Sequence, residues 1–309
     1  MYQKKDDACY ASEIAGFLQK DLIGENHVIY QPCSLENLKE NSVLFLSKRA
    51  CEDGFDLSRL NGFSQLFVIL YDGFSQKPSC TYIISSQPRL DFVKVLYRFF
   101  VKELVPGIHS SAIIEKGAKL GKGIYVGAHS YIGEDVSIDD NTRIGNSVVI
   151  SGKVNVGSNC VIKSNSTIGS EGFSFVTESK NLEHFPQIGK IIIGDNVWIG
   201  ANATIERAAL EETVISDDVK IDDLVQIGHN CFIGKASQIT AGTIVCGRAK
   251  IGDRVWVAPN VCIDSGVVVG DDAWLGIGSV VLRDVEVGAV VVGNPARFLK
   301  QRKDLKAMQ

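Results

Sequence analysis

The chain has five histidines, His27, His109, His129, His184 and His229, and His229 stands in the setting that most invites chemistry, Gln226-Ile227-Gly228-His229-Asn230. Steps of eighteen residues from His229 reach Gly247, then Ser265, then Arg283. An imidazole exchanges a proton near neutral pH, so it suits the role of base toward an attacking amine. A glycine has no side chain to block its backbone N–H, and such an N–H holds the oxyanion of a tetrahedral intermediate. A guanidinium meets phosphate well, including one on a long carrier thioester. The set reads as acyl transfer to an amine, with His229 as base, Asn230 positioning it and Gly247 N–H as oxyanion donor. No cysteine or serine is paired with a base, so no covalent enzyme intermediate is implied. Against a histidine that is merely one polar residue on a wet edge stands the ordered column.

The step of eighteen comes from the repeat that must carry these residues. Aliphatic residues recur every six positions from Ile108 to Ile168 without a slip, resume at Ile193, Ile199 and Ile205, and run again from Ile215 to Val287. Neither a helical period nor the every-second-residue alternation of a plain strand accounts for a spacing of six. A six-residue period means a short strand and a tight corner, and three such sides close a triangular coil of eighteen residues. The 27 hexads make nine coils, and at about 4.8 Å per coil the prism is on the order of 40 Å long. The inward aliphatic columns form a continuous core. Two interruptions break the count, a longer one at 169–186 and a shorter one at 206–214. Insertions on a regular solenoid mark the face where function sits, and Phe173 and Phe175 in the first need something to cover them.

Residues 1–105 are a different material. Ala8–Leu22 and Asp91–Leu104 are predicted amphipathic helices, with short strands at His27–Tyr30, Val43–Leu46, Leu66–Tyr71 and Thr81–Ser85 between them. The expected organisation is a small α/β domain over 1–105, a prism over 106–296 with the 169–186 loop, and a short basic helical tail over 297–309. That tail carries Arg297, Lys300, Arg302, Lys303 and Lys306. No glycine-rich phosphate loop or dinucleotide fingerprint is present.

Composition excludes several classes. The net charge of −4 gives no basic field for nucleic acid. The longest apolar run, Leu66–Tyr71, is far below the roughly 20 residues of a membrane span. The start has no apolar segment behind its lysines, so no secretory signal is expected. Eight scattered cysteines without a CxxC pair read as reduced thiols, a cytoplasmic expectation. A catalytic metal is not expected, since no second histidine lies within two coils of His229. Cys231, Cys246 and Cys262, beside core positions, read as small hydrophobes.

The hexads resemble the left-handed parallel β-helix acyltransferases, and handedness enters through that resemblance. The closest match is to the LpxD family, which N-acylates a UDP-linked glucosamine derivative in lipid A synthesis. Three stretches carry it: Gly172-Phe173-Ser174-Phe175 followed by Pro186-Gln187-Ile188-Gly189; Thr204-Ile205-Glu206-Arg207-Ala208-Ala209-Leu210; and Gln226-Ile227-Gly228-His229-Asn230. The resemblance implies a homotrimer with active sites between neighbouring prisms, and a nucleotide-linked amino sugar as acceptor. It implies no permanently bound cofactor, with an acyl-CoA or acyl carrier protein thioester as co-substrate. It places Phe173, Ser174, Glu206 and Gln226 toward the sugar, Phe45 in the domain that holds the nucleotide, and Gly247, Ser265, Arg283 and Arg297 toward the acyl donor.

Three departures qualify the resemblance. Gly266 stands where LpxD-type enzymes carry a second histidine. Phe45-Leu46-Ser47-Lys48-Arg49-Ala50 lacks the proline and tyrosine of their uracil-stacking stretch. The ending Val291-Val292-Gly293-Asn294-Pro295-Ala296-Arg297 resembles that of coenzyme A-dependent sugar acetyltransferases, in place of a longer helical extension. These departures favour acetyl or short 3-hydroxyacyl transfer from acyl-CoA to a dTDP-linked amino sugar for surface polysaccharide synthesis. LpxD chemistry proper, with a UDP-sugar and a carrier-protein donor, is the alternative. A catalytically silent prism serving as a scaffold is the alternative of another class.

Overall fold

The computed structural model describes residues 3–5, 7–102, 104–178 and 181–302. The chain divides into two compact units, Met1–Leu104 and Val105–Gln309.

In the first unit, Gln31–Pro32, Ser42–Leu46, Leu66–Tyr71 and Thr81–Ser85 form a parallel sheet in chain order. Alternate residues of its central strands serve two cores, as strand geometry requires. Val43, Phe67, Ile69 and Ile83 face the core that includes Ile14 and Val95, while Leu44, Leu46, Val68 and Leu70 pack with Leu57 and Leu60. Both expected helices are shorter than the apolar pattern suggests. The first spans Ala11–Phe17, because Cys9–Tyr10 pairs instead with Val28–Ile29. The second starts earlier, with Pro88 in its first turn, runs to Val95 and widens into a π turn over Leu96–Phe100; Val101–Lys102 then forms a strand.

The second unit is the prism. Among the described residues its three faces carry nine, eight and eleven strands, the inner ones pairing with strands from the coils on either side. Most strands are two residues long, so each contributes one inward aliphatic, such as Ile205, Ile227, Val245 and Ile263, all fully buried. The corners turn where the residue three places before the next inward aliphatic takes a left-handed conformation. That residue is often asparagine, as at Asn141, Asn159 and Asn260 with φ of 59°, 58° and 58°.

Two expectations fail at the far end. Val287 is 62% exposed and does not point inward; Val285 is buried in its place and bridges to Val269. The chain cuts the corner after Val281, and Asp284 Oδ1 accepts the Val268 N–H at 2.8 Å. The tail expected as a helix continues as a strand, Arg297–Gln301, antiparallel to Ala289–Val292. The turn through Asn294 and Pro295 reverses the chain, and the free edge of the last face supplies backbone partners that a helix would forgo. Lys303 and Lys306 lie outside the described residues. Among the described residues no helix is long and apolar enough to cross a membrane.

Candidate active site

Both interruptions of the repeat leave the prism at one corner, in successive coils. The first leaves after Thr167–Ser170 and returns at Lys190–Ile193; the second leaves after Thr204–Glu206 and returns at Glu212–Ile215. The excursion begins later than expected, since Gly169 still lies in a prism strand. It is a hairpin and not an open loop, with Phe175–Glu178 paired to Asn181–His184. The next coil turns the same corner at His229, between Gln226–Ile227 and Phe232–Ile233, and the following coils turn it at Gly247 and Ser265. The column inferred from the spacing therefore continues directly from the two insertions.

At several turns of the other two corners a side chain of the next coil caps a free N–H: Asp140 takes Lys122 N–H at 2.7 Å, Asn146 takes Ala128 N–H at 2.9 Å, Asp223 takes Ala201 N–H at 2.7 Å, and Asp253 takes Lys235 N–H at 2.7 Å. The residue one coil beyond Gly247 is Ser265, whose hydroxyl turns to the carbonyl and donates to Gly247 O at 2.8 Å. Among the described residues no acceptor takes the Gly247 N–H. That donor is free for a ligand oxygen.

The imidazole lies against this glycine. An ideal Cβ on Gly247 would stand 2.6 Å from His229 Nε2, so a side chain there would take the ring's place. His229 Nδ1 lies 3.0 Å from Asn230 Oδ1. The same oxygen accepts the Ala209 N–H at 3.0 Å, which identifies it as the acceptor end of the amide. Nδ1 must then carry the ring proton, leaving the lone pair on Nε2. Asn230 is itself held, its N–H donating to Thr213 Oγ1 at 2.8 Å. Ala209 belongs to the shorter insertion and Thr213 to the prism strand on which it returns, so this excursion and its return strand together fix the asparagine that sets the tautomer of the histidine.

The hairpin touches the other edge of the ring. Gly172 is buried, and its N–H donates to Gln187 Oε1 at 2.7 Å. A Cβ on Gly172 would lie 2.6 Å from Glu206 Oε2 and 3.0 Å from His229 Cδ2. Farther out, Arg207 holds Glu171 at 2.8 Å, and His184 approaches the other oxygen of that carboxylate at 3.5 Å.

The structure brings together His229, Asn230, Gly247, Glu206 and Gln226, and redefines others. Both Glu206 oxygens are engaged, Oε1 by Gln226 Nε2 and Oε2 by the His229 N–H, each at 3.1 Å. Ser265 braces the Gly247 peptide. Arg283 is exposed on the bend where the coil shortens and so leaves the regular column. Arg297 is not at this corner: it pairs with Val292 on the third face, and its guanidinium bonds the carbonyl of Ala296 at 3.2 Å. Phe173 is 89% exposed and meets Phe175 edge-on with ring centres 5.0 Å apart; Ser174 holds the hairpin through its carbonyl, which accepts the Phe185 N–H. Phe45, in the first unit, packs on Phe92 at 5.0 Å and is half-buried. The spacing argument missed Gly172, Gln187, Ala209 and Thr213, because residues in insertions have no place in a step of eighteen. It also missed Arg248, one coil beyond Asn230, whose N–H donates to His229 O at 2.8 Å.

The repeat is recognised by the family model described as the hexapeptide repeat of succinyl-transferase, over residues 135–170, 190–221 and 224–264. The prism and its hexapeptide repeat define the class: a left-handed β-helix acyltransferase of the hexapeptide-repeat type. The chain is 39% identical over 248 residues to the UDP-3-O-acylglucosamine N-acyltransferase of Prochlorococcus marinus, covering 73% of this chain and 71% of that protein. It is 34% identical over 305 residues to the enzyme of the same name from Campylobacter lari, covering 94% and 93%. The chain belongs to the UDP-3-O-acylglucosamine N-acyltransferase family, also called LpxD. In fold it is similar to the UDP-N-acetylglucosamine acyltransferase of Campylobacter jejuni, with a TM-score of 0.57 and 24% identity over 63% of this chain and 75% of that one.

Proposed function

We propose that the protein transfers an acyl group from a carrier thioester to the amine of a UDP-linked 3-O-acylglucosamine. Of the acceptors raised by the sequence, the relatives' names support this one better than a dTDP-linked sugar. The observation that carries the chemistry is the His229–Gly247 pair: a ring lone pair on Nε2 beside a backbone N–H with no acceptor. The amine attacks the thioester carbonyl while Nε2 takes its proton. The carbonyl oxygen, now negative, is held by the Gly247 N–H, and collapse expels the carrier thiolate, which receives a proton. Phe173 and Ser174 on the hairpin and the exposed Gln226 border the sugar.

We further propose a cytoplasmic homotrimer, in which a neighbouring prism covers Phe173, Val176 and Leu182, exposed by 89%, 55% and 67%. Acyl carrier protein is the proposed donor. A second reading, coenzyme A, is favoured by the Gly293–Arg297 turn that resembles the ending of sugar acetyltransferases.

Thiol release is the test, with acyl carrier protein and acyl-CoAs of increasing chain length offered against UDP- and dTDP-linked amino sugars. Turnover of the UDP-linked acceptor that collapses at least about a hundredfold in His229→Ala is expected. Equal turnover by His229→Ala would remove the histidine from the chemistry; preference for the dTDP-linked sugar would reverse the choice of acceptor.

A further inference from the structure

Glu206 is a charged residue in an unusual position. It is 9% exposed, and both its oxygens accept hydrogen bonds from neutral donors, His229 N–H and Gln226 Nε2. No ion pair to Glu206 is found among the described residues; the adjacent Arg207 is bound to Glu171. A buried carboxylate with no cation is costly unless something beside it becomes positive. Its charge reaches the neighbouring thiols. Burial pushes the Cys231 thiol up to about 12, and among smaller effects the Glu206 charge adds to that rise. Cys246, next to Gly247, is raised by burial first, and Glu206 is among the further causes.

One group at this corner becomes positive during the proposed reaction. When His229 Nε2 takes the amine proton, the ring is an imidazolium. Asn230, which fixes the ring through Nδ1, is a neutral amide and offsets no charge. Glu206 Oε2 and His229 Cδ2 lie within 2.6 and 3.0 Å of the same point, the position a Cβ on Gly172 would occupy. Gly172 and Gly247 stand against the ring, and Asn230 holds its Nδ1. The cation of the next coil, Arg248, directs its guanidinium to Ser265 Oγ at 3.3 Å.

We infer that Glu206 is the counter-charge of His229, a positioning residue that stabilises the imidazolium formed as the amine attacks, and not a ligand of the sugar. Orientation and charge, which one carboxylate supplies in many catalytic histidine pairs, are here divided between Asn230 and Glu206. The inference rests on His229 being the base.

Glu206→Gln tests it while preserving shape. Its amide oxygen still accepts the His229 N–H, and Gln226 can turn its own amide to accept from the new NH2 group. In the thiol-release assay, kcat is expected to fall about 10- to 100-fold, with KM for the amino sugar within twofold of wild type. Glu206→Asp, which restores the charge, is expected to recover part of the loss. Wild-type kcat in Glu206→Gln, or a raised KM with kcat unchanged, would overturn the inference.

A second measurement does not depend on turnover. The imidazole NMR signals of His229, assigned by their loss in His229→Ala, are compared at pH 6.0 in wild type and Glu206→Gln. A move toward the neutral-ring position in the variant is expected, and coincident signals would sink the counter-charge even in an enzyme that turns over. If instead wild type and His229→Ala turn over alike, it is the acyl-transfer reading of the corner that fails.

Discussion

His229 Nε2 stands 2.6 Å from the place where Gly247 would carry a Cβ. The contact ties the base to the oxyanion donor across one rung of the prism. Gly247 does not occupy the left-handed region, so alanine is tolerated by its backbone. Gly247→Ala is therefore expected to fold with a melting temperature close to wild type. Its methyl group displaces the ring and narrows access to the N–H, so kcat/KM should drop about a hundredfold or more. Retention of activity would show that ring and N–H do not act together.

Asn230 separates two roles that a substitution can test. Asn230→Asp keeps an oxygen for both the Ala209 N–H and His229 Nδ1, and activity is expected within about tenfold of wild type. Asn230→Ala removes that oxygen and frees the ring to adopt either tautomer. It also places alanine at φ 59°, where asparagine is better tolerated. A loss of kcat of about 10- to 100-fold, larger than for the aspartate variant, is expected in steady-state assays.

Gly172 joins the hairpin to the ring. In Gly172→Ala the new methyl meets Glu206 Oε2 at 2.6 Å and His229 Cδ2 at 3.0 Å. The hairpin root must lift, which also strains the bond from Gly172 N–H to Gln187. Activity should fall about tenfold or more, with thermal stability little changed because the prism core is untouched. Proteolysis of the hairpin should also be faster in this variant, and unchanged cleavage together with unchanged activity would count against the contact.

Four buried thiols set the alkaline limit of the fold. Burial raises Cys9, Cys80 and Cys160 from 9.0 to about 11 and Cys231 to about 12. A thiol raised in this way favours the folded state while neutral. That contribution is complete below about pH 9 and is lost as the pH climbs through 11 to 12. Melting temperature is expected to hold to about pH 9 and then decline. An aromatic disulfide reagent at pH 8 should react with no more than four of the eight thiols until the protein unfolds, since Cys9, Cys80, Cys160 and Cys231 are buried.

The prism was legible because a period of six is a one-dimensional signal: each inward aliphatic reports its own face, and eighteen residues return the chain to the same corner. That alone placed His229, Gly247 and Ser265 on one column. The same arithmetic erred at Val287 and Arg283, where the chain shortens a coil and spacing stops measuring position. It also gave the tail a helix, because a free sheet edge waiting for Arg297–Gln301 does not show in local composition.

What only the tertiary structure decided lies in the insertions. The residue types at 172, 187, 206, 209 and 213 were visible, but not that all five gather around His229 and the neighbours that hold it. Such contacts join residues up to 57 positions apart through hydrogen bonds and close packing, and no period encodes them. The sequence by itself determined a repeat, a core and a histidine on an edge. The fold decided which ring nitrogen is free, which backbone N–H lacks a partner and which carboxylate lies behind the base, because each depends on what stands within about 3 Å in space.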